Sequence, residues 1–329
     1  MYRRLVAHGA RSPEVDAARL LGSVHFGRTG PIRQPGPEPA LRVPLEVVAD
    51  QTTAIDLWSG AGPPQIERAG NVEVASDGRN LFGYMRIDEK SAGGLRSAAR
   101  EAYASIFAAL DRSLCPHPLR FWNYVPHINQ EFDGLERYRH FNIGRQEAFL
   151  ASGRSAFAGA PAACAIGTEA GPLTIYFVAT TKAPMPIENP RQVSAYRYPT
   201  EHGPRSPTFS RASLMPGARP MLFISGTASV VGHRSEHPGD AAAQTRETFV
   251  NLRTLVAAAN GKFSAPPFAV DRLAYTVYVR HASDYERVRD QFEAEVGAAS
   301  AAAQEAVFLK GDICRAELLV EVEATGSLA

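Results

Sequence analysis

The stretch DRLAYTVYVRHASDYERVRDQFEAEVGAASAAAQEAVFLKGDICRAELLVEVEA, residues 271–324, decides the fold class. Its opening segment RLAYTVYVRH reads as a strand, SDYERVRDQFEAEVG as a helix, EAVFLKGDI as a second strand and ELLVEVEA as a closing one. Side chains of a strand alternate between its faces. Leu318, Val320 and Val322 therefore share one face, and Glu317, Leu319, Glu321 and Glu323 share the other. Two readings of the three carboxylates stand side by side. The face is solvated, as one side of an antiparallel sheet often is, or it lines a cleft in which one carboxylate is an acid.

The same order of elements appears upstream. In the first half, ALRVPLEVV and TAIDLWSG read as short strands, and NVEVASDGRNLFGYMRI as a hairpin turning at Asp77 and Gly78. A helix follows from Leu95 to Asp111, with Leu95, Ala98, Ala99, Ala102, Ile106 and Ala109 as its apolar stripe. The strand LRFWNYVPHI and a second helix, from near Gly134 past Phe149, complete that half. The second half supplies PAACAIGTEAGPLTIYFVATT, RPMLFISGTASVVG and the helix AAAQTRETFVNLRTLVAAAN before the stretch quoted above. Strands with helices banked on one face make an α+β fold in two units. The expected division is an extension over 1–40, one unit over 41–150 and a second over 151–329, with the Pro- and Gly-rich GRTGPIRQPGPEPA as an extended connector.

The chain has 329 residues, 45% hydrophobic and 21% charged, enough for two domains with a sizeable core. A net charge of +1 argues against nucleic acid or an anionic membrane as partner. Cys115, Cys164 and Cys314 are widely spaced and unpaired in pattern, which points to a reduced, cytoplasmic protein. The amino terminus has no apolar run of signal-peptide length, and no stretch reaches the length of a membrane span.

Chemistry-bearing residues concentrate in the second half. The long segment ENPRQVSAYRYPTEHGPRSPTFSRASLMPGARP interleaves arginines with Tyr196, Tyr198 and Phe209, which favours an ordered binding loop over disorder. Arginine forks match planar carboxylates, so Arg145, Arg197 and Arg205 are candidates for holding a small acid, against the bland alternative of surface arginines. Gly226, inside the strand FISGTASVVGH, marks a bulge or the close approach of a ligand, with Ser225 and Thr227 offering hydroxyls at the same spot. His233, His237 and Asp240 fit no zinc signature, and no metal is expected. No nucleophile elbow or nucleotide-binding glycine motif is present. Cys314, beside Arg315, is either a packed inert thiol or one activated by that cation.

Taken together, FWNYVPHIN, ERYRHFNIGRQEAF, YRYPTEHGPRSP, FISGTASVVGHRSEHPGD and GDICRAELLVEVEA resemble the chorismatase family of the Rid/YjgF-like superfamily, also described as pteridine-dependent deoxygenase-like proteins. The resemblance covers residues 40–329. It implies two Rid-like units, an active site in the carboxy-terminal half, no cofactor, and removal of pyruvate from chorismate by protonation of its enol ether. Glu321 matches the family's acid. Arg145, Arg197 and Arg205 match substrate arginines, Tyr198 a ring contact, and Gly226 with Thr227 the pocket strand. The pair Gly226 and Cys314 goes with the branch yielding 3-hydroxybenzoate, some of whose members also yield 4-hydroxybenzoate; alanines at both places go with a hydrolytic branch yielding a dihydroxycyclohexadiene carboxylate. A Rid-like protein binding a small carboxylate or enamine is the rival from another class. Superfamily relatives are often trimeric, so a monomer or a homotrimer is expected.

Overall fold

The computed structural model describes residues 2–7, 16–27, 38–48, 54–215 and 217–327. Three sheets organise them. The first has six strands in the order Ala162–Thr168, His117–Pro126, Leu173–Thr180, Asn80–Ile87, Val72–Ser76 and Gln65–Ala69. The second runs Met185–Ile187, Ala212–Met215, Met221–Ala228, Val320–Ser327, Ala274–Val279, Val307–Lys310 and Glu46–Val47. Both are mixed: Ala162–Thr168 pairs parallel with His117–Pro126, and Ala274–Val279 parallel with Val307–Lys310, while the other neighbours are antiparallel. Each sheet carries two long helices on its outer face. Helices α1 (Leu95–Arg112) and α2 (Arg137–Ala151) cover the first, and α3 (Ala241–Asn260) and α4 (Tyr285–Val296) the second. This is the expected α+β fold in two units.

The reason helices bank on one face is visible in the alternation. In His117–Pro126, Phe121 and Val125 join the cluster under α1 and α2, whereas Leu119, Trp122 and Tyr124 face inward. The expected stripe of α1 is buried as read, with Tyr103, Phe107 and Leu110 added to it. Asp240 caps α3, its carboxylate accepting from the Ala243 amide at 2.9 Å.

The inner faces are dry as well. A third sheet, of strands Tyr2–Ala7, Ala54–Ser59, Leu20–Phe26 and Ala40–Val43, closes over them. Trp58 from this sheet meets Trp122 of the first at 5.3 Å and Phe223 of the second at 6.1 Å, so three sheets share one core. A Cβ at Gly22 would overlap the Phe82 ring, which is how the third sheet comes so close to the first.

Two expectations change. Folding does not begin after residue 40: Leu20–Phe26 is a strand buried along its whole length. Ser23 and His25 alternate with Val24 and Phe26, but the polar pair is buried too, joined to each other at 3.0 Å, so neither face of the strand is wet. The expected connector lies mostly outside the described residues. The division near residue 150 separates Ala162–Thr168 and Leu173–Thr180 from the sheet they pair into, and Glu46–Val47, from the first half, pairs into the second sheet. Among the described residues no helix is long and apolar enough to cross a membrane.

Candidate active site

The closing strand begins at Val320, so only Glu321 and Glu323 of the three carboxylates stand on it. Glu317 precedes the strand, is exposed, and accepts from the Ser235 hydroxyl at 2.7 Å. Alternation fails before the strand: Leu318 lines the cleft beside Glu321, while Leu319 packs on the helix side. Glu323 is fully buried and not part of a wet face, because the first and third sheets lie over it. Arg120 reaches across from the first sheet to form an ion pair with Glu323 at 2.5 Å, and the Trp122 indole N–H donates to the same carboxylate at 2.9 Å. A buried charge is tolerable only when paired and hydrogen-bonded in this way.

Glu321 is 3% exposed but lacks such an arrangement. Burial, then the charge of Glu323, push its carboxyl up to about 8, against the opposing pull of Arg120 and Arg211. At neutral pH it holds its proton.

The strand Met221–Ala228 brings the opposite wall. Ile224 pairs with Ala324 but Thr227 with Val322, so one extra residue is inserted between them. Met221 and Phe223 face the inner core before the bulge; Gly226 and Ala228 line the cleft after it. The expected bulge is thus present, and the close approach is made by Glu321 itself. A Cβ on Gly226 would collide with the Glu321 carboxyl, lying 2.6 Å from its Cδ. Thr227 is turned out of the cleft by the same parity change, and its hydroxyl donates to the Ser225 carbonyl at 2.8 Å.

The cleft, including its open mouth, encloses about 640 Å³. Tyr138, Tyr198, Phe209 and Cys314 give it a partly aromatic lining, and Arg139, Arg211 and Arg315 supply cations. Arg211 is 6% exposed; it donates to the Tyr198 hydroxyl at 2.7 Å and to the Val193 carbonyl at 2.9 Å. The Arg315 guanidinium lies 5.1 Å from the centre of the Tyr198 ring and donates to the His233 carbonyl at 2.9 Å. Burial, then the proximity of Glu321, push the Cys314 thiol up to about 12, so it is a neutral thiol shaping the pocket and not an activated nucleophile.

Of the expected site residues, Glu321, Cys314, Gly226 and Tyr198 meet in this cleft. Arg197 and Arg205 are exposed and outside its lining. Arg145 lies behind the wall: it is 1% exposed, donates to Asn142 Oδ1 at 2.8 Å, and sits 5.0 Å from the Phe141 ring centre. Tyr138, Asn142 and Arg145 follow at helical spacing along one stripe of α2, leading inward from the cleft. Among the described residues Arg145 has no carboxylate partner, and its Nε has no hydrogen-bond acceptor. The arginines that do line the cleft, Arg139, Arg211 and Arg315, are not marked out by residue pattern, although each lies inside or next to a stretch quoted above. Arg139 stands in the first turn of α2, Arg211 closes the aromatic loop, and Arg315 follows Cys314. Adjacency to Cys314 was the one usable signal.

His233, His237 and Asp240 do not converge. Asp240 is spent on the α3 cap and His237 turns toward Glu247 at 3.8 Å. The cysteines Cys115, Cys164 and Cys314 are all free thiols.

Fold and cleft together define an α+β protein whose second unit holds one proton-bearing carboxyl beneath a rim of arginines and aromatic rings. Residues 56–179 match the family described as Chorismatase FkbO/Hyg5-like, N-terminal. A protein of Streptomyces rapamycinicus named chorismatase is 38% identical over 279 residues, covering 82% of this chain and 80% of its own length. A protein of Streptomyces hygroscopicus named 3-hydroxybenzoate synthase is 37% identical with the same coverage. A crystal structure of a chorismatase superposes with a TM-score of 0.87 at 30% identity, over 98% of this chain and 97% of that one. The chain belongs to the chorismatase family.

Proposed function

We propose that the protein cleaves chorismate to 3-hydroxybenzoate and pyruvate without a cofactor. The observation that carries this is the buried, protonated Glu321 set against Gly226 in a cleft rimmed by Arg139, Arg211 and Arg315. Chorismate is a dianion, and guanidinium forks bind carboxylates in a fixed plane. Arg211, which donates to the Tyr198 hydroxyl, and Arg315, beside the Tyr198 ring, hold the carboxylates, and Tyr198 contacts the substrate ring. Arg145, a buried cation with no carboxylate partner among the described residues, contributes from behind, where a bound dianion would compensate it.

Glu321 donates its proton to the methylene carbon of the enol ether, a transfer that a carboxylic acid can make near neutral pH only because its site is dry. The bond from ring C3 to the ether oxygen breaks as pyruvate departs. The neighbouring C4 hydroxyl oxygen bridges to C3, its own bond to C4 then opens, and C3 gives up its proton as the ring becomes aromatic with its hydroxyl at position 3. Direct proton loss from C4 would leave 4-hydroxybenzoate instead. The proton gained by pyruvate and the proton lost by the ring balance, so no water is consumed and the acid is restored.

Gly226 and Cys314 favour the hydroxybenzoate branch over the hydrolytic one, in line with the relative named 3-hydroxybenzoate synthase. Incubating the purified protein with chorismate and resolving the products by chromatography tests the reading. Equal amounts of pyruvate and 3-hydroxybenzoate are expected, with any 4-hydroxybenzoate read from the same trace. A diene-diol without hydroxybenzoate moves the protein to the hydrolytic branch, and no pyruvate sinks both. Cys314→Ala, which leaves Glu321 room, should add diol to the product mixture; an unchanged profile would mean that this thiol does not steer the branch.

A further inference from the structure

At the mouth of the cleft, three ligand atoms from two segments converge. Glu201 and His202 belong to the short turn Thr200–His202, and His233 to the loop between the paired strands Val230–Val231 and Arg234–Ser235. His202 Nε2 lies 3.1 Å from His233 Nδ1, and one oxygen of Glu201, Oε1, lies 3.2 Å from His233 Nδ1 and 3.5 Å from His202 Nε2. The three atoms form a nearly equilateral triangle. Around a tetrahedral zinc-type ion with bonds of about 2.0–2.1 Å to nitrogen and oxygen, neighbouring ligand atoms stand roughly 3.3–3.4 Å apart. The triangle has the dimensions of one face of that tetrahedron.

Hydrogen bonding alone does not account well for three mutual contacts. With both rings neutral, a proton on each of the two facing nitrogens would set N–H against N–H. A single bridging proton leaves two edges of the triangle without one. A cation at the centre would satisfy all three lone pairs together.

We propose that Glu201, His202 and His233 form a binding site for a divalent transition-metal ion of the zinc class, with its fourth position open. Two histidines and one carboxylate with an open position is a donor set such ions accept. Burial, then the Arg315 cation, hold the His202 ring below its ordinary value, which keeps its lone pair available at neutral pH. The charged and titratable groups facing the site are Glu201, His233, Arg315 and Arg139. Both arginines oppose a cation, Glu201 offsets one charge, and Arg315 is already engaged with the His233 carbonyl and the Ser235 hydroxyl. A bound ion would tie the aromatic loop to the paired strands beside it and so brace one wall of the cleft, where the His202 and Tyr198 rings lie 5.1 Å apart. None of this depends on the identity of the cleft's substrate.

The test is titration of chelator-treated full-length protein with Zn²⁺ by calorimetry, and with Co²⁺ by visible absorption, which reports tetrahedral coordination. One ion per chain is expected, with a tetrahedral Co²⁺ spectrum and affinity that falls as pH drops through the histidine range, because protons compete for the same lone pairs. His202→Ala, His233→Ala and the exposed Glu201→Gln should each weaken Zn²⁺ binding, the histidine changes by at least about tenfold. Thermal unfolding of each variant checks that it is folded. No saturable uptake, or uptake with undiminished affinity in folded His202→Ala and His233→Ala variants, overturns the proposal.

Discussion

On the inner face of the first sheet, rings fill the space: Trp122 stacks on Tyr176 at 4.4 Å and Tyr124 meets Phe26 at 6.4 Å. On the inner face of the second sheet stand two carboxylates two residues apart, Glu321 and Glu323, opposite a bulged glycine strand. The first face makes the second one dry, and a dry face allows a carboxyl two outcomes. Supplied with donors, as Glu323 is by Arg120 and Trp122, it stays in an ion pair. Left without them, it keeps its proton, as Glu321 does. The packed region therefore does more than hold the fold together: it sets the chemistry of the cleft beside it.

If the two carboxylates have these separate roles, removing the acid is the largest change available. Glu321→Gln keeps the shape and a hydrogen-bonding amide but has no proton to transfer. Turnover of chorismate should fall about 10²–10⁴-fold, with the thermal midpoint no lower than that of the parent. Near-normal turnover would break the distinction, and with it the assignment of the acid.

Next comes the other carboxylate's partner. Arg120→Met takes the guanidinium away from the buried Glu323 carboxylate, which should cost about 3–5 kcal/mol of stability by denaturant unfolding. Adding Glu323→Leu removes the stranded charge and should recover most of the loss. If the double variant is as unstable as the single one, the damage lies in packing against the Trp122 ring, over which the guanidinium sits at 4.5 Å, and not in the stranded charge.

Gly226→Ala tests the contact between the walls. The added methyl collides with the Glu321 carboxyl, so the acid must swing away from its position. A displacement of that order can lower turnover by up to about 10²-fold, with stability changed little because a cleft absorbs the methyl. Unchanged turnover would mean that the carboxyl delivers its proton from another rotamer.

Much of this layout was legible beforehand, and the reasons for the failures are specific. Elements with one buried face, such as α1 and the closing strand, declare themselves by period. Leu20–Phe26 does not, being buried on both faces. Glu321 and Glu323 share a periodicity, yet whether their face is wet depends on Trp58 and Trp122, distant in sequence and brought there by other sheets. Thr227 is expected at the pocket as the neighbour of Gly226, but neighbours on a strand face opposite ways, and the inserted residue gives the cleft side to Gly226. Among the arginines, composition cannot tell an exposed Arg197 or Arg205 from a buried Arg211, because all stand in the same loop with similar neighbours.

The effect that is smallest step by step, at most tenfold for each pH unit, is also the most direct reading of how dry the second face is. Glu321 titrates at about 8 in the folded protein, against 4.5 for an ordinary glutamate. As a general acid it must be protonated, so kcat/KM should be level on the acid side of 8 and fall tenfold per pH unit on the alkaline side. Stability follows with a definite sign. Between those two values the folded state holds more protons than the unfolded one, so stability declines as pH rises through that window, by about 1.4 kcal/mol per unit at most. Above the folded value the loss is complete, and the chain carries the full cost of a buried charge. Glu321→Gln cannot ionise, so its unfolding free energy should lack this slope, and the parent and the variant should diverge steadily from pH 5 to pH 8. Parallel curves would mean that water reaches the carboxyl freely, and that the rings of the first sheet do not control the acid of the second.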